Sequence, residues 1–257
     1  MAVRPWRAVA LVLKCAAEER ASWRKFMTTI NDLLDSEGMK FLNRMHERSF
    51  SINIFRLNAH ELISALTSGE DVGLAIANMN TPLSQIEMAQ CARSLHNFLV
   101  GAMTLVDHTR VFFKKYYDGT EMRRIYAELV KNTFSGNQET RFVQDLRNFM
   151  THRALLPIER HITITRDPES GEQSARAGFQ LVVAELQNYD WNSDAKKFLA
   201  RQSDKIELLP LVNNYTSLIE TFHEDINKRL EALHSEDLVL MTALREQMDR
   251  EQVKRTS

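Results

Sequence analysis

The chain of 257 residues carries 33 basic and 34 acidic side chains, which gives a formal net charge of −1. This balance excludes a protein that binds nucleic acid over its whole surface, so contact with a polyanion would require a local basic patch. Hydrophobic residues make up 44% of the chain and charged residues 26%, which is typical of a globular domain. Only 8 glycines and 5 prolines are present, and this scarcity favours long helices over many short strands.

Cysteine spacing and hydropathy bear on the compartment. Cys15 and Cys91 are far apart and lack the spacing of a disulfide framework or a zinc site. The apolar run 8–13 is shorter than a signal-peptide core, and no run approaches the roughly 18 apolar residues of a membrane span. We expect a cytoplasmic protein without a membrane segment, with a misread leader or an over-extended start in about the first 20 residues as the alternative.

Hydrophobic periodicity and turn residues predict a mainly all-α chain. In chain order, the predicted helices cover 20–34, 39–48, 58–67, 83–117, 121–132, 138–154, 193–204, 206–233 and 235–253. Residues 51–57 alternate between polar and apolar, which indicates either a strand or the approach to the next helix. An alternating run, turn residues at 167–171 and a second apolar run predict a β-hairpin inserted at about 160–183.

These elements suggest a bundle of long helices in three segments. The first, 1–80, is an N-terminal helical extension. The second, 81–233, is a helical core that contains the inserted β-hairpin, and the third, 234–257, is a C-terminal helix and tail.

The helix predicted at 138–154 carries the strongest candidate for chemistry. On a helical wheel of about 100° per residue, its apolar side chains form one face: Phe142, Val143, Leu146, Phe149 and Met150. The opposite arc holds four polar side chains, at about 0°, 40°, 100° and 140°: Arg147, Thr151, Asn148 and His152. The wheel therefore predicts that His152 lies outside the core, on either a functional surface or an ordinary solvated one.

The segment Arg147-Asn148-x-x-x-His152 resembles the signature of the HEPN superfamily, whose members are α-helical and include many metal-independent endoribonucleases. The motif ends a predicted helix, and Leu155-Leu156-Pro157 resembles a common continuation of it. The upstream stretch 95–110 is similar to the long preceding helix of uncharacterised bacterial members. The resemblance covers about residues 83–230, but only the short motif is specific. The hairpin and the N-terminal extension depart from the family's pattern, and the family also contains inactive members.

The resemblance implies catalytic roles for Arg147, Asn148 and His152. Histidine suits proton transfer because its ordinary pKa lies near 6.5, and arginine suits phosphoryl oxygens because its planar fork stays charged. Asn148 would orient the histidine or contact phosphate. The family implies a homodimer with two such arcs facing each other. It also implies a role in toxin–antitoxin or phage defence systems, with an antitoxin or other partner protein.

A second group of residues is expected to bind RNA. Arg110, Lys114 and Lys115 lie late in the helix predicted at 83–117, with Tyr116 and Tyr117 as candidates for base stacking. Thr151, within the motif segment, and Arg153, just after it, are further candidates for RNA contacts. The alternative for the basic cluster is a helix C-terminus that complements its macrodipole.

The remaining sequence features point away from cofactor chemistry. The histidines show no HExxH or carboxylate–histidine spacing, so we expect neither a metal nor a cofactor. The main alternative to a ribonuclease is a non-catalytic HEPN-like module that binds a protein or nucleotide partner. An unrelated helical scaffold is the third reading.

Overall fold

The computed structural model describes residues 5–256, with side chains at position 14 and at 17–255. This part of the chain is mainly helical, as predicted, with one small antiparallel sheet. The elements, in chain order, are α1 (Pro5–Asp35), α2 (Glu37–Gly69), α3 (Val72–Ala77), α4 (Pro82–Tyr117), α5 (Glu121–Phe134), α6 (Gln138–His152), β1 (Ile158–Arg166), β2 (Gln173–Val182), α7 (Val183–Leu186), α8 (Ser193–Leu199), β3 (Lys205–Glu207), α9 (Leu208–Leu233) and α10 (Ser235–Thr256).

The segment 51–57 is helical, so the strand alternative is wrong. It lies inside α2, which joins the two helices predicted at 39–48 and 58–67. The buried apolar residues of this stretch recur every three or four positions, as a helix requires: Ile52, Phe55, Ala59, Leu62 and Leu66. Two buried polar side chains, Arg48 and Ser51, precede them and disguise this period in the sequence.

The β-hairpin is confirmed. Strands β1 and β2 pair antiparallel, from Ile158 opposite Leu181 to Arg166 opposite Gln173. The short strand β3 pairs with the other edge of β2. The predicted helix at 206–233 therefore begins two residues too early, because Ile206 and Glu207 belong to β3.

The chain divides into two compact units. One comprises Met1–Glu47 and Asn227–Ser257. In it, α1 packs on α10, and the Thr29 hydroxyl donates to a Glu251 carboxylate oxygen at 3.0 Å.

The second unit, Arg48–Ile226, contains the predicted site. Its core joins α4, α6, α9 and the sheet around large, fully buried side chains such as Phe98, Phe142 and Tyr215. Among the helices of the described residues, none is long and apolar enough to cross a membrane.

Candidate functional site

Helix α6 has well-defined ends that place the motif. The Asn137 side chain caps its start by accepting from the Thr140 N–H at 3.0 Å. His152 is its last residue, and the Arg153 N–H donates to the Phe149 carbonyl at 2.8 Å. The motif therefore occupies the last turns of the helix, just before the hairpin.

The buried face of α6 agrees with the wheel. Phe142, Val143, Leu146 and Phe149 are buried, and Met150 is half-buried against the same core. The Phe149 ring stacks on Trp191, with centroids 5.7 Å apart and planes at 3°. This packing fixes the rotation of the helix, and with it the direction of the polar arc.

A polar contact further anchors α6. One carboxylate oxygen of Asp145 accepts from both the backbone N–H of Asn192, at 2.9 Å, and its side-chain amide, at 2.5 Å. Because Asn192 also caps α8, the start of that helix is tied to the middle of α6. The motif thus stands on a helix held by aromatic packing and by hydrogen bonds.

The polar arc contains one contact between motif side chains. Arg147 and Asn148 are both half-buried, and an Arg147 Nη1 lies 3.4 Å from the Asn148 Oδ1. The Thr151 hydroxyl donates to the Arg147 carbonyl at 2.8 Å. Thr151, His152 and Arg153 are exposed. The polar arc therefore presents the Arg147 guanidinium, which contacts the Asn148 amide. One turn further along the helix, it presents the solvent-exposed His152 imidazole.

His152 has no orienting partner in the part of the chain that the structure describes. No hydrogen bond or ion pair from a described residue reaches its ring. Both ring nitrogens are therefore available to a ligand or to another protein chain. A single chain supplies one such imidazole to the arc.

The predicted RNA-binding residues of α4 separate into two groups. Arg110 and Lys114 are exposed and line an open groove of about 540 Å³, together with Arg123 and Arg124 of α5. Lys115 instead lies over the Tyr116 ring, 4.6 Å from its centroid. Tyr117 is 3% exposed and packs in the aromatic core, so the expectation that it stacks on bases is wrong.

The basic side chains of α5 were missed at the sequence level. Arg123 and Arg124 follow the turn at Asp118-Gly119, where Gly119 has a φ of +71°. That turn reverses the chain, so the start of α5 lies beside the end of α4 and its arginines join Arg110 and Lys114. The adjacent arginines just after a turn were the available signal.

A buried polar cluster joins side chains of α2, α4 and α9. An Arg48 Nη2 is 2.7 Å from the His223 Nδ1, which accepts because the guanidinium can only donate, and Arg48 also donates to the Thr109 hydroxyl at 3.4 Å. Burial lowers the pKa of Arg48 to about 10. Burial first, and then the charges of Arg48 and Arg56, lower the pKa of His223 to about 3. His223 is therefore neutral near pH 7.

Comparison with known proteins adds no relative. No protein-family model, no curated protein and no solved structure matches the chain. Among residues with described side chains, no group of three or more His, Cys, Asp or Glu is placed to hold a metal ion.

Proposed function

We propose that this chain is a metal-independent endoribonuclease of the HEPN type, in which Arg147, Asn148 and His152 act on an RNA phosphodiester. The observation that carries the proposal is the exposed His152 ring at the end of α6, on the polar arc that begins with Arg147 and Asn148. His152 follows Arg147 by five positions, or about 7.5 Å along the helix axis, a span that one nucleotide can bridge.

The reaction uses the RNA's own 2′-hydroxyl as the nucleophile. A base takes the proton of that hydroxyl, the 2′-oxygen bonds to phosphorus, and the bond from phosphorus to the 5′-oxygen breaks. An acid protonates the departing 5′-oxygen, which leaves a 2′,3′-cyclic phosphate and a 5′-hydroxyl. His152 supplies one proton transfer, and Arg147 stabilises the charge that develops on the phosphoryl oxygens.

A second copy of the chain would complete the site. One imidazole cannot act as acid and base in the same step, and each chain contributes one His152 to the arc. A two-fold axis beside the exposed end of α6 would bring two copies of the motif to one phosphodiester. We place this homodimer in the cytoplasm, in a toxin–antitoxin or phage-defence system. A free, buried Cys91 is compatible with a reducing compartment.

RNA cleavage in the presence of EDTA tests the proposal. Purified full-length protein is incubated with tRNA and mRNA, and the products are separated by size. We expect cleavage by the wild type and a loss of at least about a hundredfold in His152→Ala, because general acid–base groups contribute factors of this order. His96→Ala, which removes an exposed imidazole from α4, is the matched control and should cleave normally. Intact RNA, or equal cleavage by His152→Ala, would overturn the proposal.

A non-catalytic HEPN-like module is the second candidate function. It is favoured by the lack of an orienting partner for His152 among the described residues, since a catalytic histidine commonly has one. In that case the arc would bind a protein or nucleotide partner without changing it. The same experiment separates the two, because the module would leave RNA intact.

A further inference from the structure

An inner cavity lies next to the outer groove of α4 and α5. The cavity, of about 90 Å³, lies among side chains of α4, α5, α6 and α9. Arg110, Tyr126 and Val130 line both the groove and the cavity, so the two adjoin each other. We call the groove and the cavity together the basic cleft.

The lining of the basic cleft has one sign of charge. Among the residues with described side chains, this lining contains five cationic side chains and no carboxylate: Arg110, Lys114, Arg123, Arg124 and Arg141. Two other depressions of the same unit contain acidic side chains: Glu61 and Glu87 line one, and Glu70 and Glu207 line the other together with Arg176. In a chain with a net charge of −1, this segregation makes the cleft a local site for an anion.

Three of these cations have no acidic partner among the described residues. Arg110 pairs with Asp107 at 3.2 Å, and Arg124 pairs with Glu121, each within its own helix at the rim. Within the described residues, no ion pair is found for Lys114, Arg123 or Arg141. Exposed ion pairs such as the two at the rim contribute little, so they compete weakly with an incoming phosphate.

The inner end of the cleft points to the motif helix. Arg141 and Gln144 line the cavity, and the Arg141 Nη1 donates to the Gln144 Oε1 at 3.2 Å. Both lie on the polar arc of α6, at about 120° and 60° when Arg147 is at zero. Arg141 precedes Arg147 by six residues, or about 9 Å along the helix axis. This spacing corresponds to one or two nucleotides of an extended strand.

We propose that the basic cleft holds the sugar–phosphate backbone of single-stranded RNA and leads it along α6 to Arg147 and His152. This inference rests on the proposed ribonuclease function. A free nucleotide fits less well, because small-molecule sites bury most of the ligand's surface, whereas the groove of about 540 Å³ is open to solvent. The outer groove is open at its side, as a site for a passing strand must be.

Binding measured without cleavage tests the cleft. A fluorescein-labelled 12-nucleotide RNA is titrated with full-length His152→Ala, and the dissociation constant is followed by anisotropy across salt concentrations. The cleft variant Lys114→Gln/Arg124→Gln removes two exposed charges and should weaken binding at low salt by about tenfold or more. If each cation neutralises one phosphate, the slope of log K against log salt should fall from about −3.5 to about −2.1.

The control variant removes the same charge elsewhere. Lys196→Gln/Lys197→Gln, on the exposed surface of α8, should keep the affinity and the slope. The converse variant Asp107→Asn/Glu121→Gln removes the rim carboxylates and should tighten binding. Equal losses in the cleft and control variants would overturn the proposal, since they would show binding by net charge alone. Saturable binding of ATP but not of RNA would also overturn it.

The outcome can be separated from that of the ribonuclease proposal. If RNA binds in the cleft but is never cleaved, RNA binding by the cleft is supported and the catalytic roles of Arg147 and His152 are contradicted. If RNA is cleaved and the cleft variant has the wild-type KM and affinity, the ribonuclease proposal is supported and RNA binding by the cleft is contradicted.

Discussion

His223 shows how burial decides the charge of a single residue. Its side chain is 4% exposed, and its Nδ1 accepts a hydrogen bond from the Arg48 guanidinium. Protonation would place a second positive charge beside the guanidinium in a buried site. The folded protein therefore keeps this ring neutral far below its ordinary pKa of 6.5.

This burial predicts a loss of stability in acid. Below about pH 6.5 the unfolded chain takes up a proton on His223 that the folded chain does not accept until about pH 3, so the free energy of unfolding falls as the pH falls between these values. In His223→Asn, whose amide oxygen can still accept from Arg48, this part of the slope should vanish. The difference should approach about 1.4 kcal/mol per pH unit.

Urea unfolding at pH 7, 6, 5 and 4 measures this difference. The exposed control His60→Asn should keep the wild-type slope. Identical slopes in wild type and His223→Asn would show that the folded protein takes up a proton on His223 over the same pH range as the unfolded chain. That result would contradict the buried contact with Arg48.

At the level of elements, the helices with strong end signals were predictable. Helix α4 begins at Pro82 after Thr81, and α6 begins after the Asn137 cap, each within one residue of the prediction. The sequence predicted two helices in place of α2, because buried Arg48 and Ser51 interrupt its apolar period. The three-residue strand β3 could not be predicted, because its pairing with β2 depends on tertiary contacts.

The candidate site was predictable only where its residues share one helix. The wheel placed the motif side chains on the polar arc because they lie within six consecutive residues of α6. The basic cleft combines side chains from several helices, so helix packing was needed to assemble it. The contact between Arg48 and His223 spans 175 residues of sequence, and no local pattern indicates it.

Helix α2 makes a close contact with the sheet at its last residue. Gly69, the last residue of α2, lies against the ring of Phe179 in β2, and a Cβ at this position would stand 2.7 Å from its Cδ2. Gly69→Ala should therefore displace the buried ring and lower the free energy of unfolding by about 1–3 kcal/mol. Ser68→Ala, at an exposed neighbour, should change it little. A Gly69→Ala protein as stable as the wild type in urea would show that the ring moves aside freely.

At the scale of the whole molecule, the proposed reaction requires two chains. Each chain has a mass of 29.8 kDa, so light scattering on the eluting protein should give twice that value at tens of micromolar. The expected dimer follows from the need for a separate acid and base at one phosphodiester. A monomer throughout this range would contradict a shared two-fold site, and would favour the non-catalytic module.

The position and chemistry of strand cleavage decide whether Arg147 and His152 form a ribonuclease site. The substrate is a DNA strand with one ribonucleotide, incubated in EDTA with wild-type protein or with His152→Ala. We expect the wild type to cut only after the ribonucleotide, leaving a 2′,3′-cyclic phosphate, and His152→Ala to leave the strand intact. Cuts at deoxynucleotides, ends without cyclic phosphate, or equal cutting by both proteins would contradict attack by a 2′-hydroxyl at a site built on Arg147 and His152.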